Sequence, residues 1–386
     1  FYANICFPDY TNPCFSDAKL GDYQAELANY RDWLALFSDC DWIRYYATEG
    51  REGAPFPYLS HGALTSGFFT FRNGWKKDAT VMVVKAGPKG EWHCQPDNGT
   101  FEMWFNGKNL FPDSGSYVYA GEGEVMEQRN WHRQTSVHNT VTLDNKNLET
   151  TESVTKLWQP EGNIQTLVTE NPSYKNFKHR RSVFFVDNTY FVIVDEVSGS
   201  AKGSVNLHYQ MPKGEIANSR EDMTFLTQFE DGSNMKLQCF GPEGMSMKKE
   251  PGWCSTAYRK RYKRMNVSFN VKKDNENAVR YITVIYPVKK SADAPKFDAK
   301  FKNKTFDENG LEIEVKVNGK KQSLKYKLYS SDPRGTETRF PCGYMPATEK
   351  ASAPHWSFFI IRCYFYHEKQ SLYLTASIGC TKPRFM

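Results

Sequence analysis

From about residue 65 to residue 328, apolar and polar residues alternate with a period of two. Turn-forming residues interrupt the alternation every ~8–12 positions. Successive side chains on a strand point to opposite faces, so this pattern specifies strands with one face in a core. Residues 79–84 (Ala-Thr-Val-Met-Val-Val) read as a buried strand. The runs 182–186 and 190–194 flank Asp187-Asn188-Thr189 as a hairpin, and 225–229 and 235–239 flank Asp231-Gly232-Ser233-Asn234 as another. Residues 311–317 alternate cleanly up to Asn318-Gly319, which supplies the positive φ angles of a type I′ turn, and 323–328 return. The fold class is therefore mainly β, a large multi-sheet antiparallel β-sandwich.

The opening of the chain has a different period. Residues 1–45 read as helical, with Leu27, Tyr30, Leu34 and Phe37 as one apolar stripe and Ser16 or Asp17 as the cap. After Leu328 the character shifts again, to Ser330-Ser331-Asp332-Pro333-Arg334-Gly335 and a ring-dense run at 358–366. Three segments follow: 1–50 helical, 51–328 β-sandwich, and 329–386 a tail expected to be poorly ordered and foreign to the fold, from read-through or a frameshift. No repeat or low-complexity segment is visible.

With 39% apolar and 15% aromatic residues, a chain of 386 residues has ample material for a core and for stacking surfaces. The net charge of +6 is compatible with an acidic polymer. Basic residues gather at 178–181 (Lys-His-Arg-Arg) and at 258–264 (Tyr-Arg-Lys-Arg-Tyr-Lys-Arg). Each patch reads either as a site for a sulfated or uronate-bearing glycan or as a solvated strand face. Nucleic acid is not an expected partner, because 44 acidic residues are interspersed with the basic ones. Nine cysteines without a C-x-x-C pair argue against a disulfide framework or a zinc knuckle. No stretch is long and apolar enough to cross a membrane. The Phe-Tyr-Ala start leads us to expect that the natural N-terminus lies upstream.

Chemistry concentrates in residues 91–140, read as one aromatic-rich β stretch. His93, Asp113 and His138 lie 20 and 25 residues apart. Two imidazoles and a carboxylate are a ligand set that Zn²⁺ prefers, although buried, hydrogen-bonded histidines are an alternative account. Gln95, Asn98, Trp104, Asn106, Trp131, His132, Arg133 and Gln134 add rings, amides and a guanidinium, which suit a sugar. Arg133 reads either as a ligand for a carboxylate or sulfate or as a partner of Glu127 or Glu122. Asn98-Gly99 reads as a tight turn, Cys94 as a structural thiol, and Tyr117 and Tyr119 as same-face residues that pack in the core or line a cleft. Gly-x-Ser-x-Gly and a P-loop are absent, and Gly121-Glu122-Gly123 reads as a turn without a helix start.

Several motifs carry a resemblance. They are FPDYTNPCFSDAK near the start, ATEGREG at 47–53, FRNGWKKDATVMVVKAGPKGEWHCQPDNGTFEMWFNGKNLFPDSGSYVY, RNWHRQTSVHNTVTLD and VNGKKQSLKYKL. Over residues 1–328 the chain resembles the heparinase II/III-like polysaccharide lyases, in particular their heparan-sulfate-degrading branch from Bacteroides-like bacteria. The resemblance implies that residues 1–50 are the short α-helical remnant of an α/α toroid. It also implies β-elimination at a uronic acid, with a tyrosine as base and acid and an asparagine or histidine neutralising the carboxylate. Those groups would lie on the toroid, in sequence before Phe1, so this chain alone is expected to be inactive. By the same resemblance His93, Asp113 and His138 bind a structural divalent metal, Zn²⁺, and His93 is the catalytic candidate of the sandwich wall. Gln95, Trp131 and Arg133 are the substrate-binding candidates, heparan sulfate is the partner, and the periplasm is the compartment. Two other readings are a non-catalytic, metal-stabilised glycan-binding sandwich and a lyase for another uronate polymer such as alginate. The sequence assigns no oligomeric state.

Overall fold

A computed structural model describes residues 1–90 and 93–328. The expectations for the tail fall outside the described residues. Phe1–Ser330 forms one compact unit.

The architecture grows from the strands Phe177–Val186 and Tyr190–Ser198. Asp187 and Asn188 between them both take positive φ, 49° and 51°. Those angles close a tight turn in which the Thr189 N–H donates to the Val186 carbonyl at 2.9 Å, and the three-residue loop Asp187-Asn188-Thr189 sets Val186 opposite Tyr190. Alternate residues then enter different cores. Val183, Phe185, Phe191 and Ile193 belong to one cluster, and Phe184, Val186, Val192 and Val194 to another. The sheet is buried on both faces, which is why its strands are continuously apolar.

This central sheet has eight strands, in the order Ile216–Ser219, Thr224–Thr227, Asn234–Phe240, Val279–Val288, Tyr190–Ser198, Phe177–Val186, Ile164–Tyr174 and Val154–Gln159. One face packs against a four-stranded sheet (Ser246–Ala257, Lys260–Lys273, Gly203–Gln210, Val141–Leu143) and a five-stranded meander. The meander runs His61–Ala63, Phe68–Arg72, Thr80–Lys85, Phe101–Phe105 and Lys108–Asn109. The other face is covered by a three-stranded sheet, Phe297–Phe301, Gly310–Val317 and Lys320–Lys327, through Leu311, Ile313, Val315 and Leu324. The turn joining the last two strands has Asn318 at φ 48° and Gly319 at φ 82°, as the sequence requires.

The outer face of the meander is also apolar. Val81, Val83 and Trp104 are covered by Phe7 and Phe15, with the Phe7 ring stacked 5.6 Å from Trp104. This contact pins residues 6–18 to the sheet and carries Ser16 and Asp17 to its edge. Three helices surround it: α1 (Tyr2–Ile5), α2 (Tyr23–Leu36) and α3 (Asp41–Ala47). Asp22 caps α2 by accepting from the Ala25 N–H at 3.0 Å, so neither Ser16 nor Asp17 is the cap. Leu27 and Tyr30 of the stripe are buried, and the Tyr30 ring stacks on Tyr46 of α3 at 4.8 Å. Phe37 is 54% exposed, because α2 ends at Leu36 and turns the last stripe position outward.

A fourth helix, α4 (Gly123–His132), interrupts what the sequence presents as continuous β structure. Gly123 opens it at φ 52°, so Gly121-Glu122-Gly123 does lead into a helix. Its buried residues are polar, Arg129 and His132, which leaves no apolar stripe to reveal the helical period.

Candidate active site

Asp17 organises the site. Its backbone N–H donates to the His93 carbonyl at 3.1 Å, and its carboxylate pairs with His93 Nδ1 at 3.0 Å. The same carboxylate accepts from Arg129 Nη2 of α4 at 2.8 Å and from Gln95 Nε2 at 3.4 Å. Asp17 and Arg129 are 3% and 4% exposed at their side chains, whereas His93 is 75% exposed. Burial pushes the Asp17 carboxyl up, but the hydrogen bonds from Arg129 and His93 outweigh it and hold the group below its usual range. Asp17 is therefore an anion with an assured orientation. In the neutral tautomer whose Nδ1–H donates to this carboxylate, the lone pair lies on Nε2 of an exposed imidazole.

His93 lines a cavity of about 440 Å³ together with Phe15, Ser66, Phe68, Lys89 and Tyr119. Tyr119 meets the imidazole edge-on, centroids 5.7 Å apart. Burial, and then the negative Asp17, push the Tyr119 phenol up, which keeps it a hydrogen-bond donor at neutral pH. Lys85 also borders the cavity but is occupied: its ammonium donates to Ser16 Oγ at 2.6 Å and pairs with Asp97. The constellation is an imidazole aimed by a carboxylate, a phenol beside it and cations at the rim. It can move a proton at a bound anionic molecule.

The other expected site residues are placed differently. Gln95 is buried and donates to the Ser16 carbonyl at 2.8 Å, so it buttresses Asp17 from beneath. Arg133 donates to the Cys94 carbonyl at 3.2 Å, steadying the His93 loop, and pairs with neither Glu127 nor Glu122. Trp131 sits on α4 with its ring edge-on to His132 at 5.0 Å. Among the described residues none of these three lines the cavity. Asn98 bridges the backbone of Gly87 through both amide atoms, consistent with a structural turn.

The metal set does not assemble. Asp113 and His138 are fully buried and hydrogen-bonded to each other, Oδ2 to Nδ1 at 2.8 Å. Among the described residues His138 Nε2 has no hydrogen-bond partner. His93 is committed to Asp17, and among the described residues no three His, Cys, Asp or Glu side chains are grouped to hold an ion. The trio therefore does not fit as a ligand set, and the hydrogen-bonded-histidine reading describes His138.

The two basic clusters part ways. In 178–181 the positive charge is largely internal: Arg180 pairs with Glu196 at 2.6 Å, and Arg181 and His179 both meet Asp195 at 2.7 Å, all buried. In 258–264 only Arg264 is buried, donating to Ser114 Oγ at 2.7 Å. Sequence reasoning missed Asp17 and Arg129, whose partners are long-range. For Arg180 and Arg181 a signal existed. The Asp187-Asn188 turn fixes a register that sets Arg181 opposite Asp195 and Arg180 opposite Glu196.

The described residues thus form a layered antiparallel β-sandwich with a helical N-terminal cover and a carboxylate-aimed histidine in an open cavity. The chain belongs to the heparinase II/III-like family: the profile described as "Heparinase II/III-like, C-terminal" matches residues 57–300, and "Heparinase II/III N-terminus" matches 1–45. It is 81% identical over 328 residues to the heparin-sulfate lyase of Bacteroides stercoris, covering 85% of this chain and 49% of that protein. To the heparin-sulfate lyase of Pedobacter heparinus it is 38% identical over 323 residues, covering 83% and 49%. A solved heparinase III superposes with a TM-score of 0.84 at 90% identity, over 85% of this chain and 51% of that one. The heparan sulfate lyase HepC from Pedobacter heparinus superposes at 0.81 with 36% identity, over 85% and 52%. The chain thus spans about half the length of the relatives it matches.

Proposed function

We propose that this chain is the C-terminal part of a polysaccharide lyase that cleaves heparan sulfate by β-elimination at uronic acid. The observation that carries this reading is family membership across the sandwich, in a chain whose open cavity presents a carboxylate-aimed histidine. In the elimination a base takes the C5 proton, the electron pair forms the C4–C5 double bond, and the C4–O4 bond breaks. O4 then takes a proton, and an unsaturated uronate remains. His93 is the sandwich's contribution to proton transfer, and Asp17 and Arg129 hold it in place. Arg133 and Gln95 act indirectly, by fixing the loop and the carboxylate.

The test is turnover and binding on heparan sulfate, with alginate in parallel, by the full-length protein that contains this chain and by the chain alone, followed by ultraviolet absorbance of the unsaturated product; the full-length protein supplies the deciding outcomes. Turnover of heparan sulfate supports the lyase, and His93→Ala should then lower kcat by about 10²-fold or more. Binding without turnover supports the alternative, a non-catalytic glycan-binding sandwich. Turnover of alginate alone moves the substrate to another uronate polymer. Absence of both binding and turnover on both polymers overturns the reading. A periplasmic location belongs to the same proposal, and fractionation of the source cells decides it. Elemental analysis of the purified chain tests the structural divalent ion that the resemblance implies.

A further inference from the structure

The cations of the 258–264 hairpin lie beside the His93 cavity, held in an unusual way. Lys19 Nζ sits 4.7 Å from the centroid of the Tyr119 ring and 4.7 Å from that of Tyr258. The Arg259 guanidinium lies 5.7 Å from the Tyr258 centroid, and Arg261 lies 4.0 Å from that of Trp253. Tyr119 and Tyr258 are 43% and 45% exposed. Among the described residues neither Lys19 nor Arg259 pairs with a carboxylate, in contrast to Arg180, Arg181 and Lys178. An aromatic face attracts a cation without neutralising it, so these ammonium and guanidinium groups are positioned yet keep their charge for an incoming anion. Holding them in advance lowers the ordering cost of binding.

The backbone fixes the arrangement. Leu20 N–H donates to the Thr256 carbonyl at 3.1 Å, and Arg259 N–H to that of Tyr117 at 2.9 Å. Gly115 bridges to Ser255, so closely that a Cβ at residue 115 would lie 2.0 Å from the Ser255 oxygen. The hairpin tip is thereby tied to both segments that carry Lys19 and Tyr119. Tyr119 is the shared element, its ring centroid 5.7 Å from that of His93 and 4.7 Å from the Lys19 ammonium.

We propose that Lys19, Tyr119, Tyr258 and Arg259 form an anion-reading subsite continuous with the His93 cavity, which binds the sulfate or carboxylate of the sugar neighbouring the one at His93. This rests on the glycan reading above and assigns the residues that select a charged chain. A polymer with an acidic group on successive sugars is gripped at both places, and a neutral sugar is gripped at neither.

The test is calorimetric binding of this chain to a heparan sulfate oligosaccharide and to an unsulfated, N-acetylated oligosaccharide of the same backbone and length. Lys19→Ala and Arg259→Gln are the variants. Lys178→Ala, which removes the same charge from a lysine 3.5 Å from Glu308, is the control. Each subsite variant should bind heparan sulfate roughly five- to ten-fold more weakly, while the control stays at the wild-type value. Loss confined to the sulfated ligand supports the subsite and identifies sulfate; equal loss for both ligands supports it and identifies the carboxylate. Wild-type affinity in both variants, or an equal loss in the control, overturns the subsite while the glycan reading stands. Absence of wild-type binding to either ligand overturns both. Melting curves of the variants establish that the fold is retained.

Discussion

At the residue scale the informative groups are the buried ion pairs. Arg181, His179 and Asp195 form a cluster in which burial would raise the Asp195 carboxyl, but Arg181 and then His179 hold it down at about 2. Its folded value lies below the ordinary 3.8, so the stability it contributes is complete above that pH and disappears as pH falls toward 2. His179 is held below its ordinary 6.5 by burial, with Asp195 opposing. The unfolded chain then binds more protons, so stability also falls as pH drops below 6.5. We predict that the melting temperature declines between about pH 7 and about pH 5, and that His179→Gln flattens the decline. Asp195→Asn strands the Arg181 charge in the core and should cost about 3–5 kcal/mol in urea unfolding at neutral pH. These pairs were partly legible, since the turn dictates which residues face each other across the hairpin. The Asp17–Arg129 pair was not, because 112 residues separate its members and no local pattern links them.

At the element scale, legibility followed periodicity. The hairpins at 187–188 and 318–319 were readable because an apolar alternation ends at residues that tolerate positive φ. Helix α4 was unreadable because it buries an arginine and a histidine on hydrogen bonds, so its inner face carries no hydrophobic signal. The central strands show the opposite limit: buried on both sides, they reveal that they are strands but not how many layers cover them. That yields a sharp prediction. Phe184 and Phe185 are adjacent, both fully buried, and point into different cores. Phe184→Ala and Phe185→Ala should each destabilise by about 3–5 kcal/mol in chemical denaturation. In a sheet with one solvated face, one of the two would cost almost nothing.

On the scale of the whole molecule, the layering separates support from function. The three-stranded sheet of residues 297–327 covers the face of the central sheet opposite the meander that carries the His93 loop. It also satisfies arginines from the central sheet: Arg180 donates to the Asp307 and Glu308 carbonyls at 2.7 and 3.0 Å, and Arg280 to that of Asn303 at 2.9 Å. The outer layer thus closes an apolar face and completes a polar network, and both roles are structural. Ile313, fully buried in that layer, provides the test. Ile313→Ala should lower stability by about 2–5 kcal/mol. Because the Asp17–His93 geometry is set by the N-terminal segment, α4 and the meander, the affinity of the folded fraction for heparan sulfate should match wild type. A parallel loss of affinity at a temperature where the variant remains folded would mean that the cavity depends on the packing of all the layers, and that the division between scaffold and site drawn from these contacts is wrong.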